Sequence, residues 1–116
     1  MQLTKVTIYC DGACLGNPGP GGFAALLMHD KTKQELVVSG YEISTTNNRM
    51  ELKAALAGLS ALKKKCRVEL FSDSQYLVKG MTEWIHNWQK NGFRNAQKKE
   101  IINIDLWREL LAITKE

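Results

Sequence analysis

Cysteine is scarce in this 116-residue chain: Cys10, Cys14 and Cys66, an odd number with no CxxC pair. That argues against a disulfide framework and against a zinc site. A reducing compartment, most simply the cytoplasm, follows. Histidine is scarcer still, at two residues, so a histidine ligand set has little to draw on. No apolar run approaches the length that spans a bilayer. The opening MQLTKVTIYC reads as a strand with polar residues through it, not as a charged stretch followed by an apolar block.

What is present is ordinary for a globular domain: 44% hydrophobic and 24% charged residues. The length suits one domain over 1–116. A chain this short buries roughly two-thirds of its unfolded surface, which leaves little stability to spare. The net charge of +4 and pI near 9.0 lean toward an anionic partner.

Residues 3–11 alternate and favour a strand. DGACLGNPGPGG follows, holding five of the nine glycines and both prolines in twelve residues, and reads as a turn-dense loop. FAALLMH and ELVVSGYEI read as second and third strands in an antiparallel meander. In NNRMELKAALAGLSALKKK the period changes: Met50, Ala54, Ala57 and Ala61 recur at helical spacing, as do Leu52, Leu56, Leu59 and Leu62. Lysines 63–65 crowd its C-terminal end, where the helix dipole favours cations. CRVELFS is a fourth strand. SQYLVKGMTEWIHNWQK reads as helix with Gly80 as the break, and NIDLWRELLAITKE as a last helix.

The long helix between strands three and four can act as a crossover, so strand four lies parallel to the first. VTIYCD (6–11) and VELFSD (68–73) both end in aspartate. Paired in matching register, about 4.8 Å apart, they place Asp11 and Asp73 side by side at the carboxyl ends, the edge where open α/β sheets bind ligands. Two close carboxylates repel, and a divalent cation relieves the conflict. An oxygen-only set suits Mg²⁺ or Mn²⁺, with Glu51 as a third ligand.

Each acid has a plainer reading. Asp11-Gly12 is a common turn pair, Asn48 and Glu51 have capping-box spacing, and Asp73 could N-cap the following helix. His86, between two tryptophans, reads as a packing residue, and His29 as solvated. From Trp84 to Lys99 aromatics interleave with cations, which suits a nucleic-acid backbone. The alternative is helix packing, with Trp84 and Trp88 four residues apart on one face.

Four separated blocks, DGACLGNPGPGGFAALL, TTNNRMELKAAL, SDSQYLVKGMTEWIHNW and NIDLWREL, resemble ribonuclease H of the bacterial type I family across nearly the whole chain. The resemblance implies an α/β fold with a mixed sheet of order 3-2-1-4-5 and Mg²⁺-dependent cleavage of the RNA strand of RNA–DNA hybrids. It implies metal-binding acids at Asp11, Glu51 and Asp73. It implies substrate binding at Gly12 and contacts to the RNA strand around Cys14, Gly16, Asn17, Asn47, Asn48 and Gln75. It implies a DNA phosphate held by Thr46 and Asn103, aromatics along the DNA strand at Tyr76, Trp84 and Trp88, and a basic protrusion reaching Lys98 and Lys99.

The family pattern continues about forty residues further, through a fifth strand and a last helix with a fourth metal-binding aspartate. The expectation is therefore a C-terminally short version. In it VELF forms an exposed edge open to a strand-exchanged dimer or a complementing chain, and Trp107, Leu110 and Leu111 lack packing partners. An active endoribonuclease, a hybrid-binding module without activity and a complementing fragment all fit.

Overall fold

In a computed structural model, residues 4–16, 18–62, 66–90 and 102–114 are described. Strand β1 (Thr4–Cys14) pairs antiparallel with β2 (Gly19–His29), which pairs antiparallel with β3 (Glu35–Thr45). Helix α1 (Asn47–Ser60) crosses over to β4 (Cys66–Phe71), which runs parallel to β1 with Val6 opposite Val68 and Tyr9 opposite Phe71. The sheet order is β3-β2-β1-β4. The parallel pairing and its register are those expected.

Alternation along β1 buries Val6, Ile8 and Cys10 beneath α1 and leaves Tyr9 outside, stacked on Phe71 with ring centroids 5.3 Å apart. Small residues let α1 lie close to the sheet. A Cβ on its Gly58 would sit 3.0 Å from Ile8 Cγ2 and 3.1 Å from Ala25 Cβ.

The glycine-rich segment is mostly strand rather than loop. Asp11 to Cys14 continue the ladder opposite Ala24 to Gly21, Gly16 has φ 72°, and Leu15 N–H donates to Pro20 O. Glycine is needed there for space. A Cβ on Gly21 would lie 2.6 Å from Thr45 Cγ2 and 2.8 Å from Cys14 Cβ.

The second helical region has no break at Gly80. Helix α2 (Gln75–Lys79) passes through a π-helical turn, Gly80–Trp84, into α3 (Ile85–Lys90). Gly80 makes room for Trp107 of α4 (Ile104–Thr114), since a Cβ there would fall 2.0 Å from the indole. Trp107 and Leu110 do not lack partners. They are 0% and 1% exposed, packed in the core, and Leu111 is half-buried.

The two histidines exchange their expected roles. His86 is exposed, whereas His29 is half-buried and accepts from Thr32 N–H at 3.2 Å, fixing the β2–β3 turn. The lysines at 63–65 and the basic stretch holding Lys98 and Lys99 lie outside the described residues, as does Asn17. Among the described residues no helix is long and apolar enough to cross a membrane.

Candidate active site

Asp11, Glu51 and Asp73 converge, offering one carboxylate oxygen each within 4.8 Å of one another. Their positions come from three different causes. Asp11 stands in β1 opposite Ala24. Asp73 lies in the bend after β4, two residues beyond Phe71, as Asp11 lies two beyond Tyr9. Glu51 descends from α1, whose first turn rests directly on β1 because Gly12 has no side chain. A Cβ at Gly12 would meet Met50 C at 2.4 Å and Glu51 N at 2.8 Å, all main chain.

None of the plainer readings of the acids survives. Asp11 is in a strand ladder, not a turn. The N-cap of α1 is Thr46, whose hydroxyl accepts from Arg49 N–H at 3.2 Å, so Asn48 and Glu51 form no capping box. The N-cap of α2 is Ser74, which accepts from Leu77 N–H at 3.2 Å, leaving Asp73 without that duty.

The electrostatics are those of an anionic cradle. Asp11 Oδ1 accepts from Gly12 N–H at 3.0 Å. Burial, then the charges of Asp11 and Asp73, push Glu51 up to about 7. Its Oε2 is buried with no hydrogen-bond partner among the described residues. Burial above all, with the charges of Glu51, Asp11 and Asp73 adding to it, raises the Cys10 thiol to about 11. Three convergent oxygens and an orphaned buried carboxylate atom fit a hard divalent cation, which would satisfy all of them together.

A second polar cluster joins the helix ends beside the acids. Arg49 grips Asp105 with both guanidinium branches, at 2.8 and 3.0 Å, and donates to Asn103 Oδ1 at 3.1 Å. The pairing holds Asp105 below the usual carboxylate range and Arg49 above its own. Asn103 Nδ2 and Trp107 Nε1 both donate to the Tyr76 hydroxyl at 3.2 Å. Arg49 lies within TTNNRMELKAAL, but no role for it is read from the sequence. Its only signal in the sequence is a cation in the first turn of a helix, where the dipole disfavours it and a partner is required.

The other expected contact residues spread around the acids. Cys14 and Gly16 end β1 and its turn, joined by Cys14 Sγ–H to Gly16 O, and Asn47 Oδ1 accepts from Cys14 N–H at 2.7 Å. Asn47, Asn48 and Gln75 are exposed at helix starts. Tyr76, Trp84, Trp88 and Trp107 form a ring cluster with centroids 5.1 to 6.0 Å apart, so Trp84 and Trp88 do pack, and both stay half-buried.

A carboxylate triad on the carboxyl edge of a 3-2-1-4 mixed sheet, with helices beside it, defines an α/β protein with an acidic cluster able to hold a metal ion. A family model described as RNase H matches residues 3–116, and the chain belongs to that family. The ribonuclease H of Syntrophotalea carbinolica is 56% identical over 113 residues, covering 97% of this chain and 73% of the relative. That of Phenylobacterium zucineum is 58% identical over 106 residues, covering 91% and 68%. The crystal structure of LC11-RNase H1 in complex with an RNA/DNA hybrid superposes with a TM-score of 0.72 at 26% identity, covering 95% of this chain and 76% of that one.

Proposed function

We propose that this chain hydrolyses the RNA strand of RNA–DNA hybrids with Mg²⁺, or Mn²⁺ in its place, leaving 5′-phosphate and 3′-hydroxyl ends. The observation that carries the reading is the convergence of Asp11, Glu51 and Asp73 within 4.8 Å, with Glu51 Oε2 unpartnered, in an RNase H fold. Asp11, Glu51 and Asp73 would hold the divalent ions, which when bound would activate water near neutral pH and stabilise charge on the departing 3′-oxygen. Asp11 and Asp73, both exposed, are open to substrate, while half-buried Glu51 closes the site from the α1 side. Gly12, Cys14, Gly16, Asn17, Asn47, Asn48 and Gln75 follow the RNA strand, where 2′-hydroxyls distinguish ribose from deoxyribose. Thr46 and Asn103 take a DNA phosphate, and Trp84, Trp88, Lys98 and Lys99 extend along the DNA strand. Three cysteines without a disulfide among the described residues suit a reducing compartment such as the cytoplasm. The outer side of β4, with Phe71 44% exposed, is where a complementing strand or second copy would add.

The test is cleavage of an end-labelled RNA–DNA hybrid by the purified chain with Mg²⁺, against EDTA and Asp73→Asn controls. Cuts confined to RNA within the hybrid are expected. Binding without cleavage at any Mg²⁺ or Mn²⁺ concentration would sink the catalytic reading and leave a binding module. Activity that appears only as the chain dimerises, and is lost when Glu replaces Val68, would make the β4 edge part of the working unit.

A further inference from the structure

Asn103 carries an unusual combination of features. It is a non-glycine residue in the left-handed region, at φ 63°, immediately before α4. Strained backbone of this kind persists only where the surroundings over-determine it, and it concentrates at functional sites. Here the surroundings do so. The Asn103 carbonyl accepts from Leu106 and Trp107 N–H at 3.0 and 3.1 Å. Both ends of its side-chain amide are also engaged, by Arg49 and by Tyr76.

The chemistry of those partners leaves the amide one orientation. A guanidinium has donors only, so the atom facing Arg49 must be Oδ1. The nitrogen therefore faces the Tyr76 hydroxyl. That hydroxyl is used to capacity: it accepts from Asn103 Nδ2 and Trp107 Nε1 and directs its own proton toward Ile102 O at 3.4 Å. Nδ2 has two hydrogens and Tyr76 takes one, so among the described residues one N–H remains uncommitted. Across the same arginine, the Thr46 hydroxyl accepts from Arg49 N–H and, among the described residues, keeps its proton to give. Two spare donors thus flank Arg49, next to the acids yet outside them.

We infer that Tyr76 is a positioning residue. Through its hydroxyl it fixes the Asn103 amide so that the remaining N–H, with Thr46, meets an anionic phosphate of the DNA strand. This rests on the proposed hybrid-binding function and reassigns Tyr76 within it, from an aromatic surface along the strand to a brace behind the phosphate site. The half-buried ring fits that role, wedged between Trp84 at 5.8 Å and Trp107 at 5.3 Å.

The experiment is fluorescence anisotropy of a labelled RNA–DNA hybrid in EDTA, which reads binding without cleavage. Tyr76→Phe keeps the ring and removes the hydroxyl. It should weaken binding about three- to tenfold, the scale of one polar interaction. Asn103→Ala should weaken it at least as much, and the double variant should be no weaker than Asn103→Ala alone. A purely structural Tyr76 would give additive losses, and that result overturns the inference, as would parent-like binding by Tyr76→Phe. Should Tyr76→Phe fold poorly, two further variants decide. Asn103→Gly suits the left-handed backbone and must bind as weakly as Asn103→Ala. Arg49→Lys loses the fork that orients Oδ1 and must weaken binding only while Asn103 is present. A parent chain that binds no hybrid overturns the proposed function itself, whereas parent-like binding by Asn103→Ala overturns only this inference.

Discussion

Two polar clusters sit side by side at the carboxyl edge of the sheet and differ in how completely they are satisfied. In the Arg49–Asp105–Asn103–Tyr76–Trp107 cluster opposite charges meet with bidentate geometry, and the buried Trp107 N–H has an acceptor. In the Asp11–Glu51–Asp73 cluster like charges converge, and a buried oxygen has no donor. Paired polar groups stabilise and orient. Unpaired ones of a single sign cost stability, and a fold retains them where something must bind. The first cluster thus meets most of its polar needs within the protein, and the acid triad does not.

The largest expected effect separates the two directly. Asp11→Asn or Asp73→Asn should lower hybrid cleavage by roughly a hundredfold or more, while thermal stability without metal stays level or rises as repulsion is relieved. Activity within tenfold of the parent, in a gel assay of labelled hybrid, would remove these acids from the chemistry. The scaffold should behave in the opposite way. Gly80→Ala drives a methyl into the Trp107 indole and should cost about 1–3 kcal/mol, read from the urea midpoint, without abolishing metal-dependent cleavage by the folded fraction. An unchanged midpoint would mean that the indole has room to move.

A smaller effect follows from Glu51. Its pKa is raised from 4.5 to about 7, so the folded state holds its proton more tightly than the unfolded chain does. The associated stability is fully present below 4.5 and is lost as pH rises through about 7. Without metal, the melting temperature contributed by this group should therefore fall between about pH 5 and pH 8. Glu51→Gln should flatten that slope, and millimolar Mg²⁺ should offset the loss at the alkaline end. A slope unaffected by Glu51→Gln would place the titration elsewhere. The smallest effect concerns the basic stretch. Neutralising Lys98 and Lys99 should reduce the salt dependence of hybrid affinity by about one unit of log–log slope for each phosphate no longer neutralised. An unchanged slope would return them to solvated surface.

Much of the site is legible in the sequence because strands report their register. VTIYCD and VELFSD carry matching apolar runs and matching terminal acids, and a parallel pair with a helical crossover has few alternatives. The departures have particular causes. DGACLGNPGPGG looks like a loop by composition, but its glycines answer to the crowding of Met50, Thr45 and Cys14 in three dimensions. Gly80 looks like a helix break, but it is the socket for a tryptophan 27 residues later in the chain. The caps at Thr46 and Ser74 each lie within two residues of the position the sequence suggests, since several polar residues there could serve and backbone geometry chose among them.

By itself the sequence determined the element types, the parallel pairing and the three acids, because hydrophobic period and chain connectivity act locally. Only the tertiary structure decided that Arg49, Tyr76 and Asn103 share one network, and that Glu51 alone among the three acids is half-buried without a donor for Oε2. The physical reason is that hydrogen-bond satisfaction depends on ångström distances between helix ends far apart in the chain, and no local periodicity encodes those distances.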